Sequence, residues 1–515
     1  MTLGLAVGMY AVTAHAGGPA HRHVQLDLSR ATTPVDRSFD LSVGADYPGT
    51  TGRAENLAQL KTAVDELGFR YLRFHDIFHD SLGTVREIDG KITYDFSGID
   101  KLYDALLARG IKPFVELGFT PGAMTTSKQT IFYWKGNTSH PQPGPWAELI
   151  EAFMRHLIQR YGAQEVRQWP LEVWNEPNLD GFWERADQKA YFDLYAATAR
   201  AIKRVDPALR VGGPSTAGAA WVPELLAYAK ANGVPVDFVT THTYGVDGGF
   251  LDEKGEDDRK LSPSPDSIVG DVRRVREQIQ ASAFPGLPLY ITEWSTSYNP
   301  RDLVHDSYLS APWILTKLKA TQGLAQAMSY WTYSDLFEEA GPPPSPFHGG
   351  FGLLTPEGIR KPAFFAYKYL NALKGQAIPL TDTAALASAE GAKTTLLFWD
   401  WQQPDQKQTN RNFFGKPVPA TESRPVQLSL AHVPPGTYRL QLRRTGYRAN
   451  DAQTAYLEMG SPKSLDGAQQ RQLRELTADK AEVDQVVQVK AGARLDWKVS
   501  MRSNDVVLVT LEPAK

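Results

Sequence analysis

The sequence predicts an α/β fold, a (β/α)8 TIM barrel followed by a β-sandwich-like accessory domain. Three observations carry this reading. Between residues 36 and 375 an amphipathic helical pattern, a glycine or proline, and a short apolar run recur in that order. Eight such apolar runs can be counted, the number a closed parallel barrel requires. Beyond Lys374-Gly375 the helical period gives way to β segments.

Residues 41–44 read as the first strand. The first clear helix places Leu57, Leu60, Val64 and Leu67 on one face, stops at Gly68 and leads into a second strand over 69–74. Leu102 and Leu106, closed by Gly110, precede a third strand over 111–117. Leu149, Phe153 and Leu157, closed by Gly162, precede a fourth over 171–174. Further strands fall at 209–212, 236–241, 288–292 and 327–333, with Ile268, Val272, Val275 and Ile279 marking a helix between the sixth and seventh. No glycine-rich phosphate-cradling turn follows the first strand, so a barrel with enlarged loops fits better than an open doubly wound sheet. Segments 394–399, 426–430, 438–443 and 506–511 give the second domain, 376–515, its sandwich character. Residues 22–30, which alternate like a strand at 23–28, are a candidate to join it.

Bulk properties narrow the function. The 515 residues are 42% hydrophobic and 22% charged with a formal net charge of −3, a globular composition without the polybasic footprint of a nucleic-acid binder. The absence of cysteine excludes disulfides, thiol catalysis and zinc-thiolate sites. No run approaches the roughly 20 apolar residues of a membrane span, so no membrane partner is expected. Residues 1–16 form a mildly apolar run ending in Ala14-His15-Ala16, the small-x-small pattern of a signal-peptidase site. This makes the protein a candidate for the periplasm or secretion. No lysine or arginine precedes the run, and if it is not a signal the expected location is the cytoplasm.

Barrel enzymes draw their reactive groups from the C-terminal ends of the strands. The fourth strand ends in Leu171-Glu172-Val173-Trp174-Asn175-Glu176-Pro177, and the seventh in Leu289-Tyr290-Ile291-Thr292-Glu293-Trp294. Three places apart in an eight-membered ring, these ends face each other across the mouth. Opposed carboxylates are what glycoside cleavage needs. In a retaining hydrolase they stand about 5–5.5 Å apart, one protonating the departing oxygen while the other attacks the anomeric carbon. The acid must hold its proton near neutral pH, which calls for desolvation or a neighbouring carboxylate. Asn175 offers an amide to a sugar 2-hydroxyl. Strict alternation would send Asn175 and Glu176 to opposite faces, so the strand is expected to break or bulge beside Pro177.

Other residues admit two readings. Glu116 and Glu172 lie inside their strands and read as barrel-layer residues. His75 and His79 alternate with Asp76 and Asp80 in a pattern open to metal binding, but His75 is better suited to donating to sugar hydroxyls, and His79 reads as loop structure. His242 and Tyr244 share a face of the sixth strand, where the tyrosine hydroxyl can orient a carboxylate with His242 in support. Trp331 is placed to floor a pyranose or to fill core.

Asn175-Glu176-Pro177 paired with Thr292-Glu293-Trp294 resembles clan A of the glycoside hydrolases. The stretches 73–80, 241–244, 330–339 and 348–353, with 447–452 and 459–462 in the second domain, resemble glycoside hydrolase family 39. That resemblance implies exo-acting retaining hydrolysis without a metal or other cofactor, Glu176 being acid/base and Glu293 nucleophile. It also implies that His75, Phe119, Asn175, His242, Tyr244, Trp331, Glu338 and Glu339 surround the terminal sugar of an oligosaccharide substrate. Within the family a β-D-xylosidase is the leading expectation. An α-L-iduronidase-like enzyme would need a cation for the substrate carboxylate, and the acidic Glu338-Glu339 pair opposes one. β-Glucosidase and arabinosidase activities stay open, as does a catalytically silent carbohydrate-binding protein.

Overall fold

The computed structural model describes residues 21–514 apart from 253 and 254; the candidate signal segment 1–16 lies outside them. Eight parallel strands close into a barrel. We number them β1 (Ser42–Gly44), β2 (Tyr71–Phe74), β3 (Lys112–Leu117), β4 (Pro170–Val173), β5 (Arg210–Thr216), β6 (Phe238–Tyr244), β7 (Leu289–Ser295) and β8 (Ala327–Tyr330). The outer helices are α1 (Ala54–Leu67), α2 (Ser97–Leu107), α3 (Pro143–Tyr161), α4 (Gln188–Val205), α5 (Val222–Asn232), α6 (Val269–Ala281), α7 (Ser310–Ala320) and α8 (Pro362–Ala372). The expected fold class is therefore the observed one.

The helices stop and start where their sequences say. α1 buries Leu57, Leu60, Ala63 and Leu67 and ends on Gly68, whose φ of 80° lets its N–H cap the Val64 carbonyl. α3 opens on a proline in its first turn, and α4 is N-capped by the Asp187 side chain accepting from Ala190 N–H.

Strand ends differ from expectation in two directions. β5, β6 and β7 run on to Thr216, Tyr244 and Ser295, because the polar residues that look like loop in sequence find hydrogen-bond partners inside the barrel mouth. β4 stops at Val173, where Trp174 turns to a φ of 70°, and β8 stops at Tyr330.

Inside the barrel, Phe114, Phe238, Tyr290 and Ala327 form an apolar plug at the N-terminal end, with Leu41 and Tyr71 against it. The closed floor confines any ligand to the C-terminal mouth.

The second domain packs a seven-stranded sheet against a three-stranded one. Arg22–Asp27 pairs in parallel with Glu422–Ala431 in the smaller sheet. Leu26, Leu396, Phe398, Leu428, Leu440 and Val509 are part of the shared core. Two helices absent from the sequence reading, Ala452–Glu458 and Gly467–Leu476, rest on the barrel, where Tyr456 and Leu473 join Phe347 and Ile359 in one cluster. Each is too short for its periodicity to declare itself, and packing on the barrel supplies the stability. Trp399 fixes the junction, its indole N–H donating to Thr316 on α7 at 2.8 Å. Among the described residues no helix is long and apolar enough to cross a membrane.

Candidate active site

The mouth of the barrel is organised around one buried cation. Arg73, fully buried on β2, pairs through Nε with Glu172 at 2.5 Å, through Nη2 with Glu116 at 2.9 Å and through Nη1 with Glu293 at 2.7 Å. Its Nη2 also donates to Asn175 Oδ1 at 2.8 Å. Burial pushes the Glu172 carboxyl up, but Arg73, with His242 and Thr240 in support, holds that group below the usual range. Glu116 and Glu172 thus lie in a barrel layer, as their mid-strand positions imply, and neutralise the guanidinium.

Backbone irregularities aim the two strand-end glutamates. After Val173 the chain leaves the pleat, with φ of 70° at Trp174 and 45° at Glu176, and both Asn175 and Glu176 come to face the cavity. The expected break is present. Left-handed backbone at a non-glycine residue costs roughly 1–2 kcal/mol, strain that the surrounding contacts hold in place. On β7 the pairing with β6 skips a residue, so that Thr241 opposes Ile291 while His242 opposes Glu293. This bulge turns consecutive residues inward: Thr292 donates to Glu172 at 2.8 Å and Glu293 meets Arg73.

A carboxylate oxygen of Glu176, one of Glu293 and a ring nitrogen of His242 all lie within 4.8 Å of one another. The two carboxyls have unlike surroundings. Glu176 is raised to about 7 by burial, against the opposing charges of His75 and Arg73, and its Oε1 lies 2.9 Å from His242 Nδ1. Burial lowers His242 to about 4, so this imidazole is neutral. Glu293 is clamped from both sides, Oε1 accepting from Arg73 and Oε2 from the Tyr244 hydroxyl at 2.7 Å. One carboxyl that keeps a proton near neutrality thus faces a second that is held rigidly, the equipment for double displacement. Three such ligand atoms also suit a divalent ion in spacing, but Arg73 stands 2.7 Å from Glu293 and would repel one. His75, His79, Asp76 and Asp80 do not converge: His79 accepts from Ser81, and Asp76 accepts from Phe119 N–H.

The cavity of about 600 Å³ is lined by His75, Asn175, Glu176, Tyr244, Glu293, Trp331 and Glu339 at its polar end. His75 differs from its expected part as a free donor. Burial alone would lower its pKa, but Glu116 at 2.9 Å and Glu339 at 3.1 Å raise it well above the ordinary value, so both ring nitrogens already serve carboxylates. Burial pushes Glu339 up to about 8. Trp331 lies flat enough over the strand ends that a Cβ on Gly44 would come within 2.1 Å of its ring, which only glycine avoids. Phe119 sits behind this layer, stacked toward His75 at 6.2 Å. Glu338, like Phe119 and His242, is not among the residues that line the cavity, and its carboxylate is taken by Arg53 at 2.5 Å.

Two positioning residues escaped the sequence reading. Arg73 is one. The other is Asp46, whose buried carboxylate accepts from Thr50, the Trp134 indole and Glu338 N–H, tying three loops together. A charged residue within an apolar strand was the available signal for Arg73; Asp46 left none.

The model for glycosyl hydrolases family 39 matches residues 22–493. A β-xylosidase of Geobacillus stearothermophilus is 43% identical over 346 residues, 65% of this chain and 68% of that one. A crystal structure of the family 39 enzyme from Xanthomonas axonopodis pv. citri superposes with a TM-score of 0.96 at 65% identity, covering 98% of this chain and all of the other. A monomeric β-xylosidase from Caulobacter crescentus CB15 superposes with a TM-score of 0.94 at 64% identity, covering 96% of this chain and 100% of that one. With the barrel, the paired glutamates and a family match over most of its length, the chain belongs to the glycosyl hydrolases of family 39.

Proposed function

We propose that the protein is a retaining, exo-acting β-D-xylosidase that removes xylose from the non-reducing ends of xylooligosaccharides. The observation that carries this reading is the unlike pair of carboxyls with oxygens within 4.8 Å. That spacing is close to the roughly 5–5.5 Å of double displacement and well short of the about 6.5–9.5 Å an inverting pair needs for its water.

In the first step Glu176 gives its proton to the glycosidic oxygen as the C1–O bond breaks, and Glu293 attacks C1 to form a xylosyl ester. Arg73 and Tyr244 hold the attacking carboxylate on its line of approach. Ester formation removes a negative charge near Glu176, which lowers its proton affinity and makes it the base for the second step. There Glu176 takes a proton from water, the water oxygen bonds to C1, and Glu293 leaves as carboxylate. With Asn175 Oδ1 bonded to Arg73, its amide NH2 is the group left for the sugar 2-hydroxyl.

Xylose fits the polar end better than a hexuronate. No lysine or arginine is among the described residues lining the cavity, and both nitrogens of His75 are engaged. The β-xylosidase names of the Geobacillus stearothermophilus and Caulobacter crescentus relatives support the same sugar.

The test is hydrolysis of nitrophenyl β-D-xyloside with the released anomer followed by NMR, for the intact protein and Glu293→Ala. β-Xylose should appear first, and the variant should lose more than about a thousandfold in rate. α-Xylose first, or an active variant, would overturn the mechanism. Silence toward xylosides, glucosides, arabinosides and iduronides alike would make it a carbohydrate-binding protein.

A further inference from the structure

The cavity wall changes character around the ring. Glu176 after β4 and Glu293 on β7 divide the strand ends into two arcs. The arc through β8, β1, β2 and β3 carries the ionisable His75 and Glu339 beside Trp331, Phe132 and Phe351, with Asp46 behind them. The other arc presents Leu179, Phe182, Val246, Tyr298 and Pro300. Leu179 is 39% and Tyr298 46% exposed, and both line the cavity.

Chain connectivity says which end of a substrate meets this second arc. The loop bearing Leu179 and Phe182 starts at Glu176 itself, Leu179 N–H donating to the Glu176 carbonyl at 3.0 Å. A group protonated by Glu176 departs along that loop. The Tyr298 ring is braced from behind by the Arg259 guanidinium, 4.5 Å from its centroid, and meets Tyr244 edge-on at 6.2 Å. Two polar side chains on this arc are already paired: Thr243 donates to Asp271 at 2.6 Å, and Asp271 also pairs with Arg274 at 2.8 Å.

We infer that this arc is a leaving-group site selective for planar apolar aglycones, aryl and arylalkyl alcohols, with Tyr298 as its specificity-determining wall; the inference rests on the xylosidase reading above. The hydroxyls of a second xylose here find the Tyr298 hydroxyl, but Thr243 and Asp271 are already paired, so their desolvation is repaid less fully than that of an aromatic alcohol. An aromatic alcohol brings no such groups and packs on the tyrosine face.

The experiment compares intact protein with Tyr298→Ala on three substrates that share the xylosyl group: β-xylosyl fluoride, which has no aglycone ring, xylobiose, and phenethyl β-D-xyloside. For the variant, kcat/KM on the phenethyl xyloside should fall about tenfold or more, on xylobiose less than about threefold, and on the fluoride hardly at all. Tyr298→Phe, which keeps the ring, should preserve the intact protein's ranking. Equal losses on all three substrates, a larger loss on xylobiose, or no loss on the phenethyl xyloside would each overturn the inference. Should Tyr298→Ala fail to fold, Leu179→Ala measured on the same substrates decides by the same criteria. An intact protein inert even toward the fluoride would overturn the xylosidase reading itself. Hydrolysis of the fluoride with no preference among aglycones would sink the leaving-group site alone.

Discussion

The lower and upper halves of the barrel interior are built from the same strands and do opposite things. On β2 the inward residues climb from Tyr71 to Arg73, on β3 from Phe114 to Glu116, and on β6 from Phe238 through Thr240 to His242. Two residues along β2 and β3, about 6.6 Å, and four along β6 take the interior from an apolar plug to the polar layer of the site. The lower half obeys strict alternation. The upper half departs from it at Ser215, at Thr292-Glu293 and at Asn175-Glu176, and each departure turns a polar side chain into the mouth. Regular pleating stabilises the floor, and irregular backbone builds the site on top of it.

The largest effect should come from removing the charge on which the upper half depends. Arg73→Met leaves Glu116, Glu172 and Glu293 without their cation. Stability should fall by about 3–5 kcal/mol, and kcat by at least about a hundredfold through the loss of the clamp on Glu293. Thermal unfolding and xyloside kinetics measure the two separately, and an Arg73→Met protein with unchanged kcat would show that Glu293 needs no guanidinium.

The lower half should respond the other way. Phe238 is 1% exposed and packs against Phe114 and Tyr290, with ring centroids 6.1 Å and 5.1 Å away. Phe238→Ala should cost about 3–5 kcal/mol of stability while kcat/KM at a temperature where the variant is folded stays within about threefold. A kinetic loss as large as that of Arg73→Met would mean that the plug shapes the site directly.

This division also explains what the sequence disclosed. Glu176 and Glu293 were legible because each interrupts an apolar run where a strand must end, and in a barrel such ends point to the mouth. The break at Asn175-Glu176 followed from needing both residues on one side. Arg73, Glu116 and Glu172 carry an equally plain signal, a charge inside a strand, but their partnership exists only after closure brings β2, β3 and β4 side by side. Glu338 and Glu339 show the opposite limit. Adjacent residues on a loop diverge, one into the cavity beside His75 and the other to Arg53, and no periodicity distinguishes them. The short helices over Ala452–Glu458 and Gly467–Leu476 were missed because barrel packing, rather than their own pattern, makes them helical.

The smallest effect tests whether the charges of the upper half tune the acid as well as hold the base. Burial sets Glu176 at about 7, and His75 and Arg73 pull it down toward that value. The first chemical step requires protonated Glu176, so on the alkaline side kcat/KM should fall about tenfold per pH unit above about pH 7, while the acid side is set by protonation of the Glu293 nucleophile. His75→Gln removes one of the two opposing cations and leaves burial in place. The proton is then held more tightly, and the falling limb should move to higher pH by less than about one unit. In Phe238→Ala, where no charge changes, the limb should stay where it is. A limb that moves down in His75→Gln, or that moves equally in both variants, would mean that the group titrating in kcat/KM is not Glu176 under the influence of the ionic layer.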